Sequence, residues 1–239
     1  MYATLQRYHT YGRERRSEGF EEERVLVNLI IYNPSEPHER AKKEVLDAYL
    51  TTVPRLVYYF VTMCDQEKEV EVDATSHMIY VKGVEGYIPS ILDKTMRALE
   101  YIHTHHSYSY LVRSNISTVL LWDRFPWHEM RGVHHASTNV LRFIPNLPFA
   151  QGTNIIWSHE AVAFVLAQQH QLKRHVIDDV ALAELVLTRY PIHELHERIR
   201  VNSERDETGW VYRNRTDGYR DEDTERMRRV IDAHRSVSP

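Results

Sequence analysis

Cysteine is almost absent from this sequence: Cys64 is the only one among 239 residues. One thiol cannot form a disulfide within the chain, which excludes the small secreted folds that depend on several disulfides. The chain also has no apolar segment near its amino terminus like that of a signal peptide, and no apolar run long enough to span a bilayer. We therefore expect a cytoplasmic protein with no transmembrane segment.

Glycine is scarce as well, with 8 residues, and the common glycine-rich motifs are missing. The sequence has no G-x-x-x-x-G-K-[ST] loop and no G-x-G-x-x-G after a predicted strand. It also lacks the G-x-S-x-G turn that carries the nucleophile of α/β-hydrolases. P-loop, Rossmann dinucleotide-binding and α/β-hydrolase functions are therefore disfavoured.

The chain has no excess of basic residues. Lysine and arginine together number 30 against 34 aspartates and glutamates, which gives a net charge of −4 with histidine neutral. A surface that binds the phosphate backbone of nucleic acids normally needs a clear positive excess. We expect no nucleic-acid partner.

Histidine, in contrast, is common, with 15 residues. Clusters occur within residues 103–106, at His134 and His135, and at His193 and His196. None has the H-E-x-x-H form of a zinc-binding helix, and no C-x-x-C pair is present. A metal-dependent hydrolase that uses histidines and Asp178 stays an alternative.

Apolar runs and amphipathic segments alternate along the chain, which is typical of an α/β protein. Buried strands are predicted over residues 24–32, 56–63, 77–81, 108–113 and 154–157. Helices are predicted after Ser35, from Pro89, over residues 118–125 after Ser117, after Ser158, from Asp178 or Asp179, and around Met227. This order implies a mainly parallel sheet with helices on both faces, in which ligands bind beyond the carboxyl ends of the strands.

The composition also suggests how the chain is divided. Residues 1–23 are polar and charged and predict a flexible N-terminal arm, whereas residues 24–199 predict one α/β domain. Apolar content falls near residue 200, and residues 200–239 are too few to fold alone. We expect them to form a C-terminal extension that packs on the same domain.

Charged side chains are predicted at the ends of these elements. Arg113 ends a strand, and the helix before that strand carries Lys94. Such cations can neutralise the diphosphate leaving group of a sugar-nucleotide donor. Asp178 and Asp179 open a later helix, and a carboxylate can take the proton of an attacking hydroxyl. The same residues also fit a buried ion pair and the ordinary charges of a helix N-terminus, so both interpretations stay open.

Four segments carry a resemblance to a known family. Residues 89–124 contain Pro89, Lys94-Thr95 and the run YSYLVRSNIS, and residues 149–160 read FAQGTNIIWSHE. Asp178-Asp179-Val180 and a closing basic motif with Tyr212-Arg213-Asn214, Arg220 and Asp223 follow. In order and spacing these segments resemble GT-A glycosyltransferases found in large DNA viruses and some microbes, and more distantly the β-1,3-galactosyltransferase and fringe-like enzymes. The resemblance covers residues 24 to 232.

The resemblance implies a GT-A-like three-layer α/β/α sandwich that binds a nucleotide sugar and a glycan or other hydroxyl acceptor. It implies that Asp179, with Asp178, is the catalytic base of an inverting hexosyltransferase. The donor diphosphate would be bound by Arg113 and Lys94, the donor sugar or ribose by Ser114, Asn115 and Ser117, and the nucleotide base by Asn33, or by Tyr58 or Tyr59. The acceptor side would be formed by Gly152 and Thr153.

One departure from the family pattern concerns the metal. Many GT-A enzymes hold Mn²⁺ or Mg²⁺ with a D-x-D motif where this chain has Arg113-Ser114-Asn115, and serine and asparagine cannot supply the charge of two carboxylates. A divalent metal is possible but has no D-x-D motif to bind it. Either Arg113 and Lys94 replace the metal, or Asp178 helps to hold a weakly bound ion. For the function, a further alternative beside the transferase and the hydrolase is a catalytically inactive protein that still binds a nucleotide or glycan.

Overall fold

An eight-stranded sheet forms the centre of the protein, as seen in a computed structural model that describes residues 25–202, 209–216 and 220–236. The predicted N-terminal arm, residues 1–23, lies outside the described residues. The strands are β1 (Leu26–Ile31), β2 (Leu56–Cys64), β3 (Val70–Asp73), β4 (Met78–Lys82), β5 (Tyr110–Asn115), β6 (Thr118–Leu120), β7 (His135–Ser137), β8 (Val140–Leu141), β9 (Phe149–Ala150), β10 (Asn154–Ser158), β11 (His193–Glu194), β12 (Arg200–Val201) and β13 (Val211–Arg213). The helices are α1 (Pro37–Leu50), α2 (Ser90–His105), α3 (His159–Ala167), α4 (Asp178–Val186) and α5 (Arg220–Arg235).

The strand order of the large sheet is β11-β7-β10-β5-β1-β2-β4-β3. Strands β5, β1, β2 and β4 run parallel, and β3 and β10 run antiparallel to their neighbours. Two smaller sheets, β12-β13-β6 and β8-β9, flank it. The parallel centre brings the carboxyl ends of β1 and β5 side by side, because Ile31 is in register with Asn115.

Both faces of the sheet are covered by helices. On one face, α1 and α5 pack against side chains such as Ile30, Phe60 and Val112. On the other face, α2, α3 and α4 pack against Val61 and Leu111, among others. Strands that are buried on both faces need apolar residues at successive positions rather than at every second one, which is what β1 shows along its whole length. The predicted α/β class with a mainly parallel sheet and three layers is confirmed.

Most predicted elements exist, but two local predictions are wrong. Helix α1 is preceded by Glu36 rather than by a Ser35 cap, and the Ser35 hydroxyl donates to Asn33 Oδ1 instead, at 2.7 Å. The helix predicted over residues 118–125 is strand β6 followed by a short 3-10 turn, Trp122–Arg124. Strand β6 pairs with β13, which lies about ninety residues later in the chain. A pairing that distant overrides the local helix signal.

The C-terminal part of the chain packs against this framework. Strand β13 extends the small sheet beside β6, and α5 lies on α1. Lys42 of α1 and Asp223 of α5 form an ion pair at 2.8 Å with both side chains fully buried. Residues 209–216 and 220–236 are therefore fixed to the same layer as α1.

Within residues 25–202, 209–216 and 220–236, no helix combines the length and apolarity that crossing a bilayer requires.

Candidate functional site

A cleft of about 990 Å³ opens at the carboxyl ends of β1 and β5. Eight of the twelve predicted site residues line it: Asn33, Lys94, Arg113, Asn115, Ser117, Gly152, Asp178 and Asp179. Ser114 and Thr153 lie beneath its surface and are buried. Residues separated by more than 140 positions in the chain thus meet in one cavity.

Arg113 is the centre of a buried charge cluster in this cleft. Its side chain is 4% exposed. Nη2 donates to Asp178 Oδ2, and Nη1 lies 3.4 Å from Asp179 Oδ1. Nη1 also donates to the Gly152 carbonyl oxygen at 2.9 Å. One guanidinium therefore holds both carboxylates and the loop between β9 and β10.

Gly152 is required at its position because Arg113 and Asp179 approach it closely. A Cβ atom on Gly152 would lie 1.8 Å from Arg113 Nη1 and 2.7 Å from Asp179 Oδ1. The same residue donates its backbone N–H to Asp179 Oδ2 at 2.7 Å. Only a residue without a side chain permits this packing.

Asp179 is chemically the most distinctive group in the cleft. Burial raises the pKa of its carboxyl to about 6, with the charge of Arg113 acting to lower it and that of Asp178 acting to raise it. Within the described residues, Oδ1 has no hydrogen-bond donor, while Oδ2 is engaged by the Gly152 N–H. A carboxylate with a pKa near neutrality and an unfilled acceptor oxygen is suited to proton transfer.

Lys94 lines the cleft but is fully engaged. Its Nζ donates to Glu85 Oε1 and Oε2, at 2.9 and 2.8 Å, and to the Tyr32 carbonyl oxygen at 2.9 Å. Burial lowers the pKa of Lys94, and Glu85 opposes that shift. Because three acceptors surround the ammonium group, the geometry fits a residue that fixes the end of β1 better than one that contacts a phosphate.

The remaining predicted donor residues mostly shape the backbone. Asn115 Nδ2 donates to the Gly152 carbonyl oxygen at 3.1 Å, and its Oδ1 accepts from the Ser117 N–H and the Thr118 hydroxyl. Ser114 donates its hydroxyl to Asn28 Oδ1 at 2.9 Å. These contacts hold the end of β5 in place beneath the cleft.

Ser117 and Asn33 lie on the wall formed with α1. The Ser117 hydroxyl accepts from Lys42 Nζ at 3.0 Å. Asn33 donates its backbone N–H to Glu39 Oε2 at 2.7 Å, so the turn after β1 is tied to the first turns of α1. Thr153 is fully buried, and its hydroxyl donates weakly to the Gln151 carbonyl oxygen at 3.4 Å.

Tyr58 and Tyr59 do not line the cleft, which overturns their predicted contact with a nucleotide base. In the strand register they lie beside Asn28 and Leu29, three and two positions before the end of β1. Tyr58 donates its hydroxyl to Asp47 Oδ1 at 2.7 Å, and the Tyr59 hydroxyl meets His106 Nε2 at 3.3 Å. Both rings serve the packing of the helices on the sheet.

Arginines of the C-terminal part form the opposite wall of the cleft, a feature that the sequence only hinted at. Arg213, Arg215 and Arg220 all line it. Arg213 and Arg220 belong to the closing basic motif of the resemblance, but the chemistry of the residues alone did not single them out, and Arg215 was missed. Their membership depends on how β13 and α5 pack.

The residues at the D-x-D position do not fit a divalent cation. The Ser114 hydroxyl and the Asn115 amide are committed to Asn28, Ser117 and Thr118, and Arg113 adds a positive charge. Among the described residues, no group of three or more His, Cys, Asp or Glu side chains converges to hold a metal ion. Hard cations require several free oxygen ligands, which this position does not offer.

Several histidines of the predicted clusters make structural contacts. His134 Nδ1 lies 2.9 Å from the Ser158 hydroxyl, and His196 Nδ1 lies 2.7 Å from Glu129 Oε2. His103 stacks near His159 and meets the Tyr108 hydroxyl at 3.2 Å. Burial lowers the pKa of His135 to about 4. The hydrolase alternative therefore finds no metal-binding cluster in the described part of the chain.

A second cavity, of about 450 Å³, lies at the opposite ends of β1 and β2. Its walls include Leu26, Leu56, Trp122 and Trp127. One ion pair, His234 with Asp123 at 2.9 Å, lies at this cavity. It lacks the paired carboxylates and the arginine wall of the first cleft, so the candidate site is the cleft around Arg113.

Comparisons with known proteins bear on the fold. No protein-family profile and no curated protein sequence matches this chain. Among solved structures, the chain is similar to the crystal structure of a glycosyltransferase involved in the glycosylation of the major capsid of PBCV-1. The similarity has a TM-score of 0.54 and covers 85% of this chain and 98% of that chain, at 11% sequence identity. The chain therefore has a GT-A-like α/β fold similar to that of this viral-capsid glycosyltransferase.

Proposed function

We propose that this protein is a glycosyltransferase that moves a hexose from a nucleotide-sugar donor to a hydroxyl acceptor with inversion. The observation that carries the proposal is the Asp178–Arg113–Asp179 cluster in the cleft at the carboxyl ends of β1 and β5. The fold supports it, because ligands of parallel α/β sheets bind at this edge. The position of Asp179 in the first turn of α4 also suits the base implied by the resemblance to fringe-like enzymes.

In the proposed reaction, the Asp179 carboxylate accepts the proton of the acceptor hydroxyl. The hydroxyl oxygen then forms a bond to the anomeric carbon of the donor sugar. The bond between that carbon and the diphosphate oxygen breaks, and its electron pair leaves with the nucleoside diphosphate. Attack on the face opposite the leaving group inverts the anomeric centre. A base with a pKa of about 6 is ionised at neutral pH and still basic enough to assist.

Arg113 and Gly152 prepare the base for this role. The Gly152 N–H binds Asp179 Oδ2 and so orients the carboxylate, and Arg113 holds the second carboxylate, Asp178, beside it. Asp178 is then a positioning residue that tunes the pKa of Asp179. Gly152 lines the side of the cleft on which we expect the acceptor, and the buried Thr153 supports it from beneath.

The experiment is a turnover assay with a panel of UDP-, GDP- and CMP-sugars and a panel of glycan acceptors. Nucleotide release and the mass of the product are both measured. We expect Asp179→Asn to lose at least about 100-fold in kcat, in the range reported for general bases, with little change in donor affinity. Asp65→Asn, an exposed aspartate outside the cleft, is the matched control and should keep full activity.

Four outcomes would contradict the proposal, the last of them only in part. Equal turnover by Asp179→Asn and the parent protein would exclude Asp179 as the base. Donor binding by calorimetry without turnover on any acceptor would support the binding-protein alternative. Hydrolysis that depends on stoichiometric zinc would support the hydrolase alternative. Retention of the anomeric configuration, seen by NMR of the product, would exclude the inverting mechanism alone.

A further inference from the structure

We propose, on the basis of this function, that Arg213, Arg215 and Arg220 hold the donor diphosphate and take the place of a divalent metal. All three side chains line the cleft. They come from the C-terminal part of the chain, which the packing of β13 and α5 brings over the site. The inference replaces the sequence-based hypothesis that Arg113 and Lys94 perform this task.

The charges of Arg113 and Lys94 are already neutralised. Arg113 contacts two carboxylates, and Lys94 lies within 2.9 Å of both oxygens of Glu85. Both cations are almost completely buried. To contact a diphosphate, either of them would have to give up a largely buried carboxylate partner, which is unfavourable.

Arg215 and Arg220 of the C-terminal wall differ in this respect. Arg215 is exposed and, within the described residues, makes no ion pair. Arg220 donates to His38 Nε2 at 2.9 Å. Burial and the charge of Arg220 lower the pKa of His38, so at neutral pH the imidazole is an uncharged acceptor. It orients the guanidinium of Arg220 without neutralising it.

Arg213 connects this wall to the loop between β9 and β10. Its Nη1 donates to Gln151 Oε1 at 2.9 Å. Gln151 precedes Gly152, whose N–H binds Asp179. A guanidinium at this position lies beside the Gln151–Gly152 segment, whose backbone N–H binds the base Asp179 of α4. Arginine is suited to this task because its planar fork binds phosphate oxygens in pairs.

A buried ion pair anchors the arginine wall. Lys42 Nζ donates to Asp223 Oδ2 at 2.8 Å, to Ser117 Oγ at 3.0 Å and to the Asn214 carbonyl oxygen at 3.3 Å. Asp223 Oδ1 also accepts from the backbone and the hydroxyl of Thr216. These bonds fix the chain on both sides of Arg215 and just after Arg220, so the arginines are held over the cleft before a donor binds.

The experiment measures binding of UDP, GDP and their monophosphates to the full chain by calorimetry, in EDTA and in Mn²⁺. We expect one diphosphate to bind equally well in both buffers. Arg215→Ala and Arg220→Ala should each weaken its binding roughly tenfold, as expected for loss of a charge-assisted hydrogen bond. The same substitutions should weaken the binding of the monophosphate less. Arg142→Ala, an exposed arginine paired with Glu194 outside the cleft, is the control and should bind as the parent does.

The outcomes separate this inference from the proposed function. Binding that appears only with Mn²⁺, or unchanged binding by the Arg215 and Arg220 variants, would overturn the arginine wall and leave the transferase proposal intact. No binding of any nucleotide in either buffer would overturn both. Arg215 is the decisive position, since its exposed side chain has no folding role; melting curves of each variant verify that the fold is retained.

Discussion

Replacement of Asp178 by Asn tests Asp179 as the proposed base, because it should change the pH dependence of the reaction rate. The pKa of the Asp179 carboxyl is raised to about 6, and burial is the largest cause of this rise. The negative charge of Asp178 raises the pKa further. Asn has nearly the same shape as Asp but no charge. In the variant, Arg113 keeps Asp179 as its only carboxylate partner at this site. Both changes favour the ionised form of Asp179, so its pKa falls.

The size of the effect follows from ordinary charge interactions. Neighbouring charges shift carboxyl pKa values by about one unit or more. With a pKa of about 6, Asp179 is roughly one-tenth ionised at pH 5. If the pKa falls by about one unit, roughly half of the molecules are ionised at that pH. The rate at pH 5, relative to the plateau at high pH, should therefore rise about fivefold in Asp178→Asn.

The assay is kcat/KM for the donor measured from pH 4.5 to 8.5, because this ratio reports the ionisation of the unliganded protein, with each profile normalised to its own plateau. Normalisation removes any loss of rate caused by altered positioning. The acid limb of the parent should have its midpoint near pH 6, and that of Asp178→Asn should lie lower. Asp65→Asn provides the control and should match the parent. An acid limb that stays in place or moves upward would refute the assigned pKa coupling.

Further predictions concern stability and the cleft wall. Asp179→Asn should raise the free energy of unfolding by about 1–3 kcal/mol at pH 8 but not at pH 4, because a raised pKa makes the ionised form destabilising as pH rises through about 6. Lys42→Met should cost about 3–5 kcal/mol in urea unfolding by leaving a buried carboxylate unpaired, whereas Lys68→Ala, which breaks an exposed pair with Glu71, should cost under about 1 kcal/mol. Gly152→Ala should lower kcat more than 10-fold through its clash at 1.8 Å, with a few degrees lost in Tm. Tyr87 lies at the rim of the cleft and is 66% exposed. The substitution Tyr87→Ala should raise the donor KM a few-fold and leave Tm unchanged.

The sequence predicted the framework of the fold because its signals are local. The apolar run before Asn33 can only be a strand covered on both faces, and Ser158 does cap α3, accepting from the Ala161 N–H at 3.2 Å. Strand β3 escaped prediction, since its residues are only partly buried and alternate with charged ones. The helix predicted after Ser117 failed for the opposite reason: its strand partner β13 is remote in sequence.

The sequence predicted the residues of the site to about the same extent as it predicted the fold. The contact between Arg113 and the Asp178-Asp179 pair follows from their positions at a strand end and a helix start, and residues of both types do meet in the cleft. No sequence pattern indicates that Glu85 neutralises Lys94, because that contact depends on how the loop after β4 folds over the end of β1. The same holds for Lys42, whose partner Asp223 is 181 residues away.

Charge pairing divides the cations of the cleft into two groups with different consequences. Arg113 and Lys94 are buried and paired with carboxylates, so their loss should appear in stability and in the pH dependence of the rate. Arg215 and Arg220 keep their charge available to a ligand, so their loss should appear in donor affinity and its dependence on salt. A cation that neutralises a departing diphosphate has to be unpaired before the donor arrives. That requirement, more than proximity to the predicted D-x-D position, assigns the diphosphate to the C-terminal wall of the cleft.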